Sequence, residues 1–517
     1  MICRSAFVFV LALVPGLAPA QQPAAVPPRP EPTAQLSLSE ALTQARSKSP
    51  AYRQVLNDAG PARVAVRAAY GAFLPQLDVR GGMGYVGSGS STFGGSTFNQ
   101  TSPSITSSYG VDLSLSLSGA TLVGPATEKA TQRAVEEDIS NATITLDNDV
   151  TVQYLTALQA VAQTDVARQQ VQRNTEFLEL ARARFQVGQA TLLDVRQAEV
   201  TKGRSDLDLL VAAQAENEAK LELLRRIGVE LAGSVTELAL TDSFPVTEPA
   251  FDERQLLSTA QSDNPSLRAL RAREDASSQN VKAARSQYLP TLSFVAGWSG
   301  FTQEFTNTDV LLRGRTENAK IDLASCDFQN ALIGALPGGG VPGFPNGGII
   351  SDCRNFVGLD ATGEALSPEI RADLLGANNV FPWSFREQPF QASLRISVPI
   401  FQGFSRNLQV ARAHAAREDA EEAVRARQLQ VRTEVQGRYL GIQTAWQAIA
   451  VQEGSRAAAR DQLQLAQERF RLGNGSALEV TDAQTAVTRA EADYVNAVYA
   501  YHRAIAALEF AVGRRLR

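Results

Sequence analysis

The chain has 517 residues, a formal net charge of −5 and three cysteines. A mildly acidic composition gives no footing for nucleic-acid binding. Beyond residue 20 no apolar run approaches the roughly 20 residues a membrane-spanning helix needs, so helical spans are not expected either.

Residues 1–20 read as a secretory signal: Arg4 supplies the positive start, Ala6 to Leu17 the apolar stretch, and Ala18-Pro19-Ala20 a small-x-small cleavage site. No cysteine sits at that site, so lipid attachment there is not expected. Residues 21–35 are proline-rich and polar and read as an extended, poorly ordered lead-in.

The remainder holds an internal repeat. Ala68 to Pro75 reappears as Ala283 to Pro290, Ala181 to Gly188 as Ala466 to Gly473, and Gly228 as Gly513. The register shifts between the first match and the later ones, so the second copy carries an insertion of about 70 residues. The first copy spans 36–230, a linker 231–252, and the second copy 253–517 with its insertion at 300–385.

Each copy reads as helix, strand, loop, strand and then two helices. The first helix runs from about 52 to 73 and stops before Pro75. Leu77, Val79, Met83 and Tyr85 then share one parity. After a Gly/Ser/Thr loop, Tyr109, Val111, Leu113, Leu115 and Leu117 alternate with Ser108, Asp112, Ser114, Ser116 and Ser118. In the second copy Leu292, Phe294, Ala296 and Trp298 form one strand, and Phe390, Ala392, Leu394, Ile396, Val398 and Ile400 the other. Period two predicts strands with one apolar and one polar face.

The long helices are expected over 126–186 and 404–471, each followed by a glycine-containing turn and a shorter helix, 192–227 and 477–512. At 1.5 Å per residue the first reaches about 90 Å and the shorter ones about 55 Å. Lengths beyond 25 residues point to coiled coil or helical repeats.

The strands have the pattern of outer-membrane barrels, apolar toward lipid and polar toward the lumen, with Tyr85, Tyr109, Trp298 and Phe390 as candidates for the aromatic girdles. Four strands offer too little sheet for a soluble sandwich core. They also cannot seal a pore, because open edges are not tolerated in lipid and the smallest such barrels have eight strands. Several chains must pool them: two give a filled lumen, three give twelve strands and a passage.

These features resemble the TolC-like outer-membrane efflux protein family. The resemblance rests on the duplicated Leu74-Pro75 and Leu289-Pro290, on Val398-Pro399-Ile400-Phe401-Gln402-Gly403 at a strand-to-helix junction, and on the paired tip motifs Arg184-Phe185-Gln186-Val187-Gly188 and Arg469-Phe470-Arg471-Leu472-Gly473. It covers nearly all of the chain beyond the signal. It implies a mainly α fold with a membrane β-barrel: four strands and long antiparallel helical hairpins per chain, duplicated, with a homotrimer closing a twelve-stranded barrel above a periplasmic tunnel of about a hundred ångströms. It also implies a periplasmic adaptor docked on the tips and an inner-membrane pump as partners, besides the lipid. The first-copy junction, Leu117-Ser118-Gly119-Ala120-Thr121, departs from the family by lacking the proline and aromatic pair.

Glu479 and Asp482, three residues apart, share a helix face. By resemblance they match acidic positions around the periplasmic entrance, where three copies favour cations; Asp194 is the first-copy counterpart. Phe185, Val187, Gly188, Phe470, Leu472 and Gly473 are the candidate adaptor contacts. In relatives a tyrosine and an arginine lock the gate; Phe470 and Gly475 stand at those positions here and cannot form that lock.

Cys326 and Cys353 are expected to form a disulfide stapling an irregular loop in the insertion, with no histidine near enough for a metal site. That insertion, with Gly338-Gly339-Gly340 and Gly347-Gly348, is expected outside the cell. His414 and His502 lie on different helices. Gly82-Met83-Gly84-Tyr85-Val86-Gly87 fits a dinucleotide fingerprint by letter but opens no helix. No nucleophile–base pair and no cofactor site emerge. The expected function is a passive exit duct for a tripartite efflux pump or a type I secretion system, with a non-transporting periplasmic scaffold or adhesin as the alternative.

Overall fold

Helix limits in this chain are written by caps and breakers, and the computed structural model places them accordingly. It describes residues 34–93, 96–100, 102–230 and 233–516. The expected signal, 1–20, and residues 21–33 lie outside the described residues.

The first elements are β1 (Ala34–Leu36), α1 (Leu38–Lys48), α2 (Pro50–Asn57) and α3 (Ala59–Gly71). Ala34 and Gln35 therefore belong to a strand and not to the lead-in. The single helix expected over 52–73 is broken at Asp58. Ser37 and Glu40 close a capping box at the start of α1, and Pro50 begins α2, where its missing N–H costs nothing. Then come β2 (Gln76–Val86), β3 (Gly89–Phe93), β4 (Ser96–Gln100), β5 (Ser104–Leu117), α4 (Gly119–Gln186) and α5 (Leu192–Ile227).

The second copy follows: β6 (Leu238–Leu240), α6 (Glu253–Asp263), α7 (Pro265–Ser286), β7 (Thr291–Phe305), α8 (Asp309–Gly334), α9 (Cys353–Val357), α10 (Pro368–Asn378), β8 (Arg386–Glu387), β9 (Gln391–Ser397), α11 (Ser405–Arg471) and α12 (Ala477–Val512). α5 and α12 both end on left-handed glycine caps, Gly228 and Gly513. β6 lies in the stretch expected as a linker and pairs in parallel with β1.

The chain divides into two units. One holds residues 64–129 and 278–415 and is built on a sheet. Its order is β2, β5, β7, with β8 and β9 both on the far side of β7. The strand expected from Phe390 to Ile400 is β9, shorter at both ends: Pro389 separates it from the preceding β8, and Pro399, which has no N–H, lies just past the ladder, leaving Phe390, Val398 and Ile400 outside it.

The antiparallel register brings the apolar parity of all four strand positions into line. Leu77, Leu113, Ala296 and Ala392 fall side by side, as do Leu115, Phe294 and Leu394, and Leu117, Leu292 and Ile396. The opposite face sets Asp78 beside Asp112, Gly297 and Gln391, and Ser116 beside Ser293 and Arg395. Arg80 pairs with Asp112 on this polar face. β2 and β8–β9 are edges, with no further strand beyond them among the described residues.

Close packing sets the first-copy junction. β5 passes into α4 at Gly119, where a Cβ would lie 1.9 Å from the carbonyl oxygen of Ser286. Only glycine fits there. The second copy instead spends residues 398–404 between β9 and α11.

The insertion is not irregular. Between β7 and β8 it folds α8, α9 and α10 around Ala319, Val357, Leu359 and Leu366. Cys326 and Cys353 are bonded, with Cα atoms 5.8 Å apart, and both are buried. The disulfide joins α8 to the start of α9 beside this small core, where the sequence reading expected a loop staple. Asn330 and Ile350 exchange two hydrogen bonds next to it, at 2.7 and 2.9 Å.

The other unit holds residues 1–63, 130–277 and 416–517, of which 34 onward are described outside 231–232 and 517. α1 packs on α4 and α5 around Leu42, Val150, Leu223 and Ile227. α6 packs on α11 and α12 in the same manner around Leu256, Val435, Leu508 and Val512. A third core, at the α4–α5 and α11–α12 turns, joins all four long helices through Phe177, Ala181, Val195, Leu463, Phe470 and Val480.

Candidate functional site

The turns of the two long hairpins gather most of the predicted site residues. In the first tip the amides of Val187, Gly188 and Gln189 donate to the carbonyls of Ala183, Phe185 and Arg184 at 3.3, 3.0 and 2.8 Å. In the second, Leu472, Gly473 and Asn474 donate to Glu468, Phe470 and Arg469 at 3.0, 3.1 and 2.9 Å. Gly188 and Gly473 have φ of 75° and 84°, the left-handed region this reversal demands. Thr191 and Ser476 then cap the next helix by accepting from the amides of Asp194 and Glu479.

Beyond this shared backbone the two tips part. The Asp194 carboxylate turns back onto the Thr191 amide at 2.8 Å, completing a capping box. Glu479 instead faces Arg469 at 3.6 Å, an exposed ion pair. Asp482 is exposed one turn further along α12. So of the three acidic candidates, Asp194 is held by its own helix end, Glu479 has a cationic neighbour, and Asp482 faces solvent.

Of the six tip candidates, Phe185, Val187 and Leu472 are exposed, Leu472 by 77%. Leu192, Leu193 and Leu478, not singled out from the sequence, extend this exposed apolar set. Phe470 is the exception, at 3% exposed. Its ring packs 5.4 Å from that of Phe177, beneath the guanidinium of Arg184. Arg184 is itself buried and donates to the carbonyls of Phe470 and Gln189. Its counterpart Arg469 is exposed. Gly475 closes tightly on the end of α11: a Cβ there would lie 3.0 Å from the Phe470 nitrogen.

Further from the tips, Glu491 on α12 is buried between Arg173 on α4, at 3.2 Å, and Arg460 on α11, at 3.0 Å. No local pattern signals this three-helix clasp, because its members lie on three separate helices. Tyr154 is buried within hydrogen-bonding distance of the Leu36 carbonyl, at 3.0 Å, and the Asp242 carboxylate, at 2.7 Å. Burial above all, with the adjacent carboxylate, pushes its phenol well above the usual tyrosine range. Among the described residues no cluster of histidine, cysteine, aspartate and glutamate fits a metal ion. No helix among them is long and apolar enough to cross a membrane.

A sheet with one continuous apolar face, long paired hairpins and a duplicated order of elements is a specific combination. The family model described as outer membrane efflux protein matches residues 41–229 and 361–514. The chain belongs to the outer membrane efflux protein family. Its resemblance to solved channels is structural. CusC superposes with a TM-score of 0.65 at 16% identity, over 92% of each chain. The CmeC outer membrane channel of Campylobacter jejuni gives 0.65 at 14%, over 92% of this chain and 85% of that one. The outer membrane protein VceC of Vibrio cholerae gives 0.62 at 15%, over 93% and 97%. At these identities the likeness shows the fold alone. No curated protein matches the chain. This outer membrane efflux protein carries, between its two matched stretches, the linker and most of the disulfide-bonded insertion.

Proposed function

We propose that three copies of this outer-membrane efflux protein pool their strands into a twelve-stranded barrel and their helices into a periplasmic tunnel. The assembly is a passive exit duct for a tripartite efflux pump or a type I secretion system. One observation carries this reading: four strand positions share one continuous apolar face, and the sheet ends in two open edges. Such edges have to be paired within lipid, and a second copy supplies the matching edge.

Exposed apolar stripes on the helices support the same assembly. Leu193, Val200 and Leu207 recur at heptad spacing on α5, and Leu429, Leu440 and Val451 at eleven-residue spacing on α11. Helices of 68 and 67 residues reach about 100 Å, the length such a tunnel requires. The two repeats, 36–230 and 253–517, joined by 231–252, each supply two strand positions and one hairpin. The tips, with Phe185, Val187, Gly188, Leu472 and Gly473, are the adaptor-docking surface. Phe470 underpins that surface from the core. Glu479 and Asp482 face the entrance, with Asp194 on the first hairpin.

Purified protein reconstituted in planar bilayers should conduct ions, and its mass in mild detergent should be that of three chains. A non-conducting monomer would favour the periplasmic scaffold or adhesin instead.

A further inference from the structure

We propose that Arg184 is a positioning residue that pins the second tip against the first and holds the tunnel's periplasmic opening narrow. The proposal rests on reading the tips as that opening.

The geometry is specific to this arginine. Arg184, on the last turn of α4, is 9% exposed. It donates through Nη1 to the Phe470 carbonyl on the last turn of α11, and through Nη2 to the Gln189 carbonyl at 3.1 Å, in the turn of its own hairpin. Its central carbon sits 4.6 Å from the centre of the Phe470 ring. The Phe470 carbonyl belongs to the last turn of α11, the negative end of that helix's dipole, and the Gln189 carbonyl to the loop beyond α4. One permanently charged group therefore bridges two hairpins through a main-chain hydrogen bond and a cation–π contact.

A buried charge is costly unless its geometry is fully met. Its partners here are two carbonyls and a ring, while its Nε is buried without a hydrogen-bond partner, so the cost of burial is offset only where the two tips stand in this one relation. If the tips separate, the Phe470 carbonyl and the ring leave together and the cation returns to water. The contact between hairpins is thus made or lost as a unit. The repeat supplies the control within the same molecule. Arg469 occupies the equivalent place in the second tip, is exposed, and holds only Glu479 of its own hairpin. The pin also accounts for a tip in which Phe470 and Gly475 offer no side-chain polar bond: the arginine arrives from the other repeat and uses the Phe470 main chain.

The test is single-channel recording of the full-length assembled protein in planar bilayers. Arg184→Met, which keeps the length and removes the charge and donors, should raise open probability about tenfold, the effect of losing a charge-assisted bond. Arg184→Lys should recover part of that closure, and Arg469→Met, which only unpairs Glu479, should leave the open probability as in the wild type. Hydrogen exchange should also quicken at residues 470–476 in Arg184→Met alone, a readout that stands even if that variant conducts poorly. Conductance and exchange in Arg184→Met like the wild type, or an equal effect of Arg469→Met, would overturn the pin. Glu479→Ala with Asp482→Ala separates the two ideas. A loss of cation preference there with no effect of Arg184→Met sinks the pin alone, whereas no change in preference sinks the reading of the tips as the entrance.

Discussion

The two hairpin tips start from the same local text and finish differently. Both read Arg-Phe, two residues, Gly, a hydroxyl cap and an acid three residues on. Both make the same turn hydrogen bonds with the same left-handed glycine. Yet Phe185 is half exposed and Phe470 is in the core, while Arg184 is buried and Arg469 is not. The backbone of a turn is set within about six residues, by which carbonyls and amides can meet. Which side chain goes inside is set by what arrives from the other hairpin. Equal sequences thus give equal turns and unequal sites.

Truncating the two phenylalanines breaks this comparison most directly. Phe470→Ala should destabilise its tip by about 3–5 kcal/mol, the cost of an emptied aromatic site in a packed core. Phe185→Ala should cost less than about 1 kcal/mol, because much of that ring already meets water. Hydrogen exchange of the tip amides, compared tip by tip, measures both. Similar losses in the two tips would mean that the difference in burial has no energetic weight.

A second pair sharpens the shared half of the comparison. Gly188→Ala and Gly473→Ala each force a Cβ into the left-handed region, at about 1–2 kcal/mol. No atom lies within 4 Å of the Cβ position at Gly188, and only the Arg184 guanidinium lies there, at 3.7 Å, at Gly473. The two losses should therefore agree, again by exchange at the turn amides. A clear inequality would show that the turns are not equivalent.

The smallest expected effect separates the caps. Thr191→Ala removes the hydroxyl's hydrogen bonds with the Asp194 amide and carboxylate, while the Thr191 amide still donates to Asp194, and should weaken the start of α5 by about 1–2 kcal/mol. Ser476→Ala removes a single cap and should cost α12 about 0.5–1 kcal/mol. Protection of the first-turn amides decides it, and a larger loss at Ser476 would contradict the difference in their hydrogen bonding.

Much of the fold was legible because its signals are local. The expected limits at 186, 192, 227, 471, 477 and 512 are the observed ends of α4, α5, α11 and α12. Glycine, serine and threonine at those points act on their own few residues. The strand parity was legible for the same reason, since alternation follows from backbone geometry. Local signals also misled. The Gly-rich run from 338 to 348 coloured the reading of the whole insertion, although α8 precedes it as 26 helical residues. Asp58 interrupts a helix just ahead of Gly60-Pro61, a breaker pair that the expected helix over 52–73 ran through: Pro61 has no N–H to donate to the Asn57 carbonyl.

The sequence by itself determined where this chain turns, which faces of its strands are apolar, and that the plan occurs twice. Those properties depend on neighbours along the chain. Only the tertiary structure decided that β5 of one repeat lies against β7 of the other, that Cys326 and Cys353 close on a core, and that Arg184, and not Arg469, reaches across to the second tip. Each of these joins residues far apart in sequence. Such a contact depends on how elements pack, and the same local residues are compatible with more than one packing.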